Sequence, residues 1–309
     1  MGAGRPDGTL RVVFIGCVQS SRVALTTLLA IPEVEVVGVI TRGGSDFNAD
    51  FDSLADLAGE GSGISLFMAD EEPRNEMAGW IRDLHPDIVY CIGWSWLLPG
   101  EILAIPPKGV VGYHPAALPQ NRGRHPIIWA LALGLDETAS SFFLMDEGAD
   151  SGDIISQERV TIDHDEDAGT LYAKLMALLP NQITTFTHQL ISGNLTPQPQ
   201  DHSQANHWRK RSPADGEIDW RMPAQGIYNL VRALTRPYPG ATCQWRGQTI
   251  QVWQVAVVAE APVNIEPGKV LAREGETVTV KCGVGAIRIL EHTFPEIPDR
   301  GEDLTCRSF

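Results

Sequence analysis

Positively charged residues are scarce in this chain. Its 309 residues include 24 Lys and Arg against 39 Asp and Glu, which gives a formal net charge of −15. A field of this sign repels polyanions unless a local basic patch opposes it. We therefore expect no nucleic acid among the partners of this protein.

Paired cysteines and long apolar runs are also missing. The five cysteines are scattered without a CxxC pair, which argues against a disulfide framework or a zinc site and favours a reducing compartment. The apolar run at residues 10–18 is too short to span a membrane and leads directly into an amphipathic segment. We expect a cytoplasmic protein with no membrane association and no bound metal.

The glycine-rich fingerprints of nucleotide-binding loops do not occur. The first predicted strand-to-helix turn reads GCVQSS and has a single glycine, Gly16, where a dinucleotide fingerprint needs GxGxxG. A Walker motif is not found either. Binding of a nicotinamide or flavin dinucleotide therefore lacks its main support.

The first half of the chain contains a regular alternation of amphipathic stretches with short β-branched apolar runs, which lie at residues 10–16, 34–40, 86–93 and 109–114. This rhythm is typical of βαβ units whose parallel sheet is buried on both faces. It predicts an α/β, Rossmann-like domain.

A polar, proline-containing connector at residues 193–216 separates this half from a different pattern. Beyond it come one helical segment and several short alternating runs, which predict a small β-barrel of the OB-like kind. We place the boundary near residue 205, so the Rossmann-like domain covers residues 1–205 and the barrel domain covers residues 206–309.

His114 ends an apolar run at the carboxyl end of a predicted parallel strand, the position where open α/β sheets bind their ligands. Taken alone, a histidine here is better explained as a hydrogen-bonded structural residue. A second predicted strand runs into an acidic, glycine-broken loop that carries Asp150. A nearby carboxylate favours the charged imidazole and determines its tautomer, so the two side chains together form a candidate acid/base pair.

Residues 114–155, HPAALPQNRGRHPIIWALALGLDETASSFFLMDEGADSGDII, resemble the core signature of the 10-formyltetrahydrofolate-dependent formyltransferases. That signature is a histidine, an SLLPxxRG loop, a helix and then MDxGxDTGD. Residues 215–242 are similar to the start of the C-terminal barrel domain of methionyl-tRNA formyltransferases and nucleotide-sugar N-formyltransferases. The resemblance implies that His114 and Asp150 are catalytic and that 10-formyltetrahydrofolate is the co-substrate.

One position departs from the family pattern. The family places an asparagine two residues before the histidine, as a donor to the formyl oxygen, and this chain has Gly112 there. Asn121 is the nearest asparagine, and it is either a replacement donor, which would make it a third catalytic residue, or an ordinary turn residue. Gly112 either marks a loss of catalysis or permits a close approach of the backbone.

The resemblance also implies where the two substrates bind. In the folate cleft it places three side chains as walls and a loop of four residues as backbone contacts: Trp96, Leu97 and Leu98, and Met145, Asp146, Glu147 and Gly148. Three cations, Arg122, Arg124 and Arg211, are our candidates for contacts with the phosphates of the acceptor, because guanidinium groups bind phosphate well. Trp96 as a core residue and the arginines as solvated surface residues are the alternatives.

The predicted function is transfer of the formyl group of 10-formyltetrahydrofolate to the amine of a small acceptor, for which we favour a nucleotide-linked amino sugar. Three alternatives are open. The first is a methionyl-tRNA formyltransferase, and the second is a 10-formyltetrahydrofolate hydrolase, in which water replaces the amine. The third is a degenerate module that binds folate without turnover. A homodimer and a monomer are both compatible with the sequence.

Overall fold

The structure is a computed structural model that describes residues 8–44, 50–70 and 76–306. The chain divides into two compact units. The first contains Met1–Gly123, Ala139–Val160 and Lys174–His207, and the second contains Arg124–Thr138, Thr161–Ala173 and Trp208–Phe309. The last division, between residues 207 and 208, lies close to the predicted boundary near 205, and two internal segments belong to the second unit as well.

A seven-stranded sheet forms the centre of the first unit. In chain order its strands are β1 (Leu10–Ile15), β2 (Val34–Thr41), β3 (Ser65–Met68), β4 (Ile88–Cys91), β5 (Val110–His114), β7 (Glu137–Leu144) and β8 (Ile154–Thr161). They lie side by side in the order β3-β2-β1-β4-β5-β7-β8. Two further short strands, β6 (Arg122–Gly123) and β9 (His207–Trp208), form a separate two-stranded sheet.

The sequence of β1 shows why this sheet is buried on both faces. Val12 and Phe14 belong to one core cluster, and Val13 and Ile15 belong to another. Successive side chains of a strand point to opposite faces, so a continuous apolar run supplies both clusters at once. The predicted Rossmann-like α/β class is confirmed.

The strand direction changes at β7. The pairs β1–β2, β2–β3, β1–β4 and β4–β5 are parallel, whereas β7 is antiparallel to β5 and pairs Ser141 with His114 and Leu144 with Val111. The chain after Leu144 therefore leaves the sheet beside the start of β5, at the end opposite to His114. The predicted parallel sheet did not include this reversal.

Six α-helices are described. They are α1 (Gln19–Leu29), α2 (Met77–Asp83), α3 (Gly100–Leu103), α4 (Pro126–Ala132), α5 (Ala168–Ile191) and α6 (Ala224–Leu234). In α6, Ile227, Leu230, Val231 and Leu234 are buried. This spacing of three and four residues forms one apolar face, which accounts for the helix.

The second unit contains a five-stranded antiparallel sheet with the order β10-β11-β14-β13-β12: β10 (Ala241–Trp245), β11 (Gln248–Val258), β12 (Val270–Glu274), β13 (Thr277–Lys281) and β14 (Ala286–His292). Residues 303–305 bridge to Gln244 in β10 and to Lys269, the residue directly before β12. Because β10 and β12 are the two edges of this sheet, the bridges join edge to edge, as closure into the predicted barrel requires.

Four of the five cysteines, Cys17, Cys91, Cys243 and Cys282, are buried free thiols. Burial raises the pKa of Cys91 to about 12, so this thiol is inert near neutral pH. None of the helices within the described ranges combines the length and the apolarity needed to cross a bilayer.

Candidate active site

His114 is the last residue of β5 and is only 4% exposed. Its Nε2 lies 2.7 Å from the main-chain oxygen of Asn121, and its Nδ1 lies 3.6 Å from Oδ2 of Asp150. A carbonyl oxygen only accepts, so Nε2 carries a proton and donates it to Asn121. Nδ1 is therefore the ring nitrogen that faces the carboxylate, at a distance longer than a hydrogen bond.

Asp150 reaches His114 through a loop that folds back from the end of β7. Its backbone adopts φ +54°, in the left-handed region, which Asp and Asn tolerate better than most side chains. Oδ2 accepts a hydrogen bond of 2.8 Å from the main-chain N–H of Gly123. The carboxylate is thus held by its own loop, which follows β7, and by Gly123 in the segment that follows Asn121.

Asn121 contacts His114 through its main chain. Its backbone is left-handed, with φ +63°, and its N–H donates to Oδ1 of Asn206 over 2.7 Å. The described hydrogen bonds of this residue toward His114 involve the carbonyl oxygen and not the side-chain amide. The role of the Asn121 amide as a donor to the formyl oxygen stays a prediction.

The loop that carries Asn121 is held at several other points. Ser141 Oγ donates to the carbonyl of Ala116 over 2.6 Å, and Gln157 Nε2 donates to the carbonyl of Leu118 over 3.0 Å. Hydrogen bonds from polar side chains to loop carbonyls stabilise the conformation of the loop. The position of the His114 ring is therefore determined by residues distant in sequence.

The space beside Gly112 is filled. A Cβ atom at this position would lie 2.8 Å from Cζ of Phe143 and 2.9 Å from Cγ of Met145. Phe143 is the residue directly opposite Gly112 on β7. The volume that a side chain at position 112 would need is thus occupied by apolar groups from the neighbouring strand and loop.

The two segments predicted to bind folate meet in the structure. Leu98, Trp96 and Met145 share one apolar cluster, and a Cβ atom on Gly100 would lie 3.3 Å from Oε1 of Glu147. The rings of Trp94 and Trp96 are in edge contact, with centroids 4.9 Å apart. These contacts place the residues around 96–100 next to the loop that begins at Met145.

Individual members of this group differ in exposure. Leu98 is 8% exposed, whereas Leu97 is 77% exposed and presents an apolar side chain to solvent. In the acidic loop, Oδ1 of Asp146 accepts hydrogen bonds from the N–H of Gly148 and from Ser151 Oγ, at 2.9 and 2.6 Å. Asp146 thus holds the turn at Gly148 together.

The three predicted phosphate ligands have different surroundings. Arg122, in the first unit, is only 4% exposed, and its Nη2 donates to Oε1 of Gln200 over 2.7 Å, so a phosphate would have to displace this contact. Arg124 and Arg211 belong to the second unit. Arg124 is exposed, and Arg211 packs over the ring of Trp129 at 4.7 Å.

Electrostatics around Trp129 are dominated by cations. Burial, together with the positive charges of Arg124, Arg211 and Lys210, lowers the pKa of His125. Arg209 packs over the same indole ring at 5.3 Å and pairs with Asp215. This cluster is a local basic patch within an acidic chain.

A separate cavity of about 500 Å³ lies within the second unit. Tyr228, Arg232, Arg236 and Trp253 contribute to its walls, and the described lining includes no predicted site residue. Arg236 pairs with Glu291 and covers the Trp253 ring at 4.8 Å. The cavity is therefore not the site formed around His114.

Sequence reasoning missed Gln200 and Asn206, which both contact the site from the connector. Asn206 accepts from the N–H of Asn121, and Gln200 Nε2 donates to the carbonyl of Asp150 over 2.9 Å. Both residues lie in a polar, proline-containing stretch whose pattern predicts a solvated linker. No local signal distinguishes them from their exposed neighbours.

Comparison with known proteins assigns the chain to a family. The family model described as "Formyl transferase" matches residues 26–185, and the model "Formyl transferase, C-terminal domain" matches residues 210–298. The chain belongs to the formyltransferase family. This formyltransferase uses 10-formyltetrahydrofolate, as the resemblance of residues 114–155 implied.

Among its relatives, the methionyl-tRNA formyltransferase of Caldanaerobacter subterraneus subsp. tengcongensis is 32% identical over 287 residues, which are 91% of each chain. The N-formyltransferase from Helicobacter canadensis, solved with folinic acid and dTDP-3-aminofucose, has a TM-score of 0.67 at 14% identity and covers 92% of this chain and 100% of that one. HypX from Aquifex aeolicus, solved with tetrahydrofolic acid, has a TM-score of 0.64 at 18% identity, and the match covers 93% of this chain but 44% of that longer protein.

The residues near Trp96 suit a folate. Among the described residues, Nε1 of Trp94 is a buried donor without a hydrogen-bond partner, and Leu97, three residues further on, has an exposed apolar side chain. A pterin ring has apolar faces and polar edges, so an unpartnered indole N–H within an apolar wall is a compatible environment. The assignments of Trp96, Leu97, Leu98 and the 145–148 loop stay predictions.

Proposed function

We propose that this formyltransferase transfers the formyl group to the amine of a nucleotide-linked amino sugar. The observation that carries the choice of a small acceptor is the net charge of −15. Binding of tRNA depends on many Lys and Arg contacts to phosphates. In this chain several arginines already pair with carboxylates, among them Arg22, Arg42, Arg82, Arg246 and Arg273.

The His114–Asp150 pair supplies the proton chemistry of the proposed reaction. Formyl transfer to an amine develops negative charge on the formyl oxygen and leaves an extra proton on the attacking nitrogen. With Nε2 of His114 anchored on Asn121, a protonated Nδ1 donates toward the developing charge. Asp150 accepts the proton of the amine, directly or through water. When the bond between the formyl carbon and the folate nitrogen breaks, this proton passes to that nitrogen and tetrahydrofolate leaves.

The filled space beside Gly112 shapes this mechanism. Phe143 and Met145 occupy the volume where a side-chain amide would stand, so no donor projects from position 112 toward the formyl group. Loss of one oxyanion donor costs about 2.7 to 4 kcal/mol in other enzymes. Nδ1 of His114 therefore contributes more to stabilising the negative charge on the formyl oxygen than it would beside an asparagine at position 112.

Methionyl-tRNA is the second candidate acceptor. It is favoured by the relative that is 32% identical over 91% of the chain, whose name gives that activity. The basic patch formed by Arg124, Arg209, Lys210 and Arg211 beside Trp129 is the surface of the second unit that would contact phosphates. Against this candidate stands the excess of acidic residues over the rest of the chain.

A panel of acceptors tests the proposal. The enzyme is mixed with 10-formyltetrahydrofolate and, in separate reactions, with uridine-, thymidine-, guanosine- or cytidine-linked amino sugars, with charged initiator tRNA, or with water alone. We expect tetrahydrofolate release and a formylated product with one of the sugars. Efficient formylation of the tRNA selects the second candidate, equal release in water alone indicates a hydrolase, and folate binding without release indicates a degenerate module.

A further inference from the structure

Gln200 is a buried polar side chain in the connector that follows α5, and it is 6% exposed. Its Nε2 donates to the carbonyl of Asp150 over 2.9 Å and to the carbonyl of Gly152 over 2.6 Å. Its Oε1 accepts from Nη2 of Arg122 over 2.7 Å. Both amide hydrogens and the amide oxygen therefore have partners in the protein.

Arg122 determines which way the Gln200 amide faces. A guanidinium has donors only, so the oxygen of Gln200 must point toward Arg122 and the nitrogen toward the two carbonyls. Arg122 is itself fixed, because its Nη2 lies 3.2 Å from Nδ1 of His202 and its main-chain N–H donates to the carbonyl of Asn206. The orientation of Gln200 follows from these contacts.

Gln200 thus joins the two segments that meet at His114. One is the loop ending at Arg122 and Gly123, whose carbonyl at Asn121 holds Nε2 of the ring. The other is the loop after β7, which carries Asp150 in a left-handed conformation. Such a conformation is disfavoured for a residue with a side chain and persists where neighbouring contacts fix it.

We propose that Gln200 is a positioning residue of this enzyme, which holds the backbone on both sides of Ser151 so that the Asp150 carboxylate stays beside Nδ1 of His114. The inference rests on the proposed role of Asp150 as proton acceptor. It gives Arg122 an indirect function through Gln200, in place of a direct contact with the phosphates of the acceptor.

Three variants test this role. Gln200→Met keeps the volume and removes every hydrogen bond of the amide, and Gln200→Glu keeps an acceptor for Arg122 but loses both donors to the loop. Gln198→Met is the matched control, because Gln198 is an exposed glutamine two residues away whose side-chain amide donates within its own segment, to the carbonyl of Thr196. Thermal unfolding is recorded for each variant.

We expect kcat to fall by about 10- to 100-fold in both Gln200 variants, since a displacement near 1 Å in an active site has an effect of this order. KM for 10-formyltetrahydrofolate stays within about twofold, because a positioning effect is confined to the chemical step. Hydrogen exchange of the peptide covering residues 144–153 becomes faster in the Gln200 variants and is unchanged in Gln198→Met.

Unchanged exchange in this peptide, or kcat equal to that of the wild type in both folded Gln200 variants, overturns the inference. A rise in KM with kcat unchanged also overturns it, because that result places Gln200 in substrate binding. Wild-type enzyme that formylates no amine in the acceptor panel contradicts the proposed function instead, and the exchange measurement, which needs no acceptor, separates the two failures.

Discussion

The surroundings of His114 and the basic patch around Trp129 differ in how their charged groups are held. Around His114, the side chains of Asp150 and Gln200 hold loops that are distant in the chain, through the bonds between Gly123 and Asp150 and between Arg122 and Gln200. Around Trp129, the bonds of Arg209 and Arg211 reach Asp215, only a few residues away. In the first arrangement the polar partners of the loops come from distant parts of the chain. In the second the two arginines find their polar partner locally, and the long-range contacts are those with Trp129, whose Nε1 donates to the carbonyl of Arg209 over 3.0 Å.

This difference teaches what each region tolerates. A buried network loses more than one contact when a member is removed, because the remaining polar groups are left without partners. The ion pair of Arg209 with Asp215 is partly screened by solvent, because the arginine side chain is 64% exposed although that of the aspartate is only 15% exposed, and such a pair contributes little. We therefore expect large effects of substitution around His114 and small ones around Trp129, and four predictions test that order.

The largest effect is expected for the acid/base pair itself. His114→Ala should lower kcat by at least about 100-fold, the loss found when one oxyanion donor is removed. Asp150→Asn should lower it by at least about 100-fold as well, because it removes the group that accepts the proton of the amine. Asparagine is chosen at position 150 because it tolerates the left-handed backbone. A formyl-transfer assay and circular dichroism on both variants check this, and near wild-type turnover by either folded variant would mean that the assignment is wrong.

Restoring the family asparagine should destabilise the protein. In Gly112→Asn the new Cβ meets Phe143 and Met145, and overpacking of this kind costs about 1 to 3 kcal/mol. Urea unfolding of the variant and of Gly112→Asn combined with Phe143→Leu measures the effect, and the second change should recover part of the loss. A single variant as stable as the wild type, with a higher kcat, contradicts this account of the site.

Position 121 should depend on its backbone conformation and not on its amide. Asn121→Gly keeps the left-handed geometry and should retain kcat within about threefold, whereas Asn121→Ala should be less stable by about 1 kcal/mol, because a Cβ disfavours that conformation. Steady-state kinetics and thermal unfolding of both variants decide the point. Equal, large losses of kcat in the two variants would contradict this prediction and support the Asn121 side-chain amide as an oxyanion donor.

The smallest effect concerns Asp215. Its hydrogen bond with Arg209 is the main reason that its pKa lies below the ordinary value of 3.8. A depressed carboxyl pKa stabilises the folded state above the unfolded value, and the stabilisation is lost as the pH falls toward the folded value. Asp215→Asn should therefore lower the free energy of unfolding by about 1 kcal/mol or less at neutral pH.

The difference between Asp215→Asn and wild type should narrow as the pH falls from 5 to 3, when the wild-type carboxyl begins to lose its advantage. Urea unfolding at several pH values measures it. Arg209→Gln is the matched control, since it removes the partner and should show the same trend. A difference that stays constant over this range rules out the ion pair as its source.

The fold class and the central pair of the site could be predicted from local patterns. The apolar runs of β1 and β5 are long enough to indicate strands buried on both faces, and the motif from His114 to Asp150 is continuous in sequence. The reversal of β7 was not predictable, because a buried strand in a parallel or an antiparallel pair has the same apolar run. Its direction depends on contacts with the rest of the sheet.

The residues that position the pair could not be predicted for a related reason. Gln200 and Asn206 differ from exposed polar residues of the same connector only in what they contact after folding. The surroundings of Arg122 were missed in the same way, since nothing local shows that its guanidinium is buried beside Gln200. Hydrogen bonds over 78 or 85 residues of separation leave no periodicity to detect.

The filled space at Gly112 also constrains the order in which this site can change by mutation. An asparagine introduced first enters a position where Phe143 and Met145 already stand. A smaller side chain at position 143 or 145, introduced first, leaves a cavity that destabilises the fold until an asparagine at position 112 fills it. A lineage or a directed-evolution experiment would therefore reach the common family arrangement most readily through a permissive substitution on β7 or in its loop, and an asparagine scan of single variants would overlook that route.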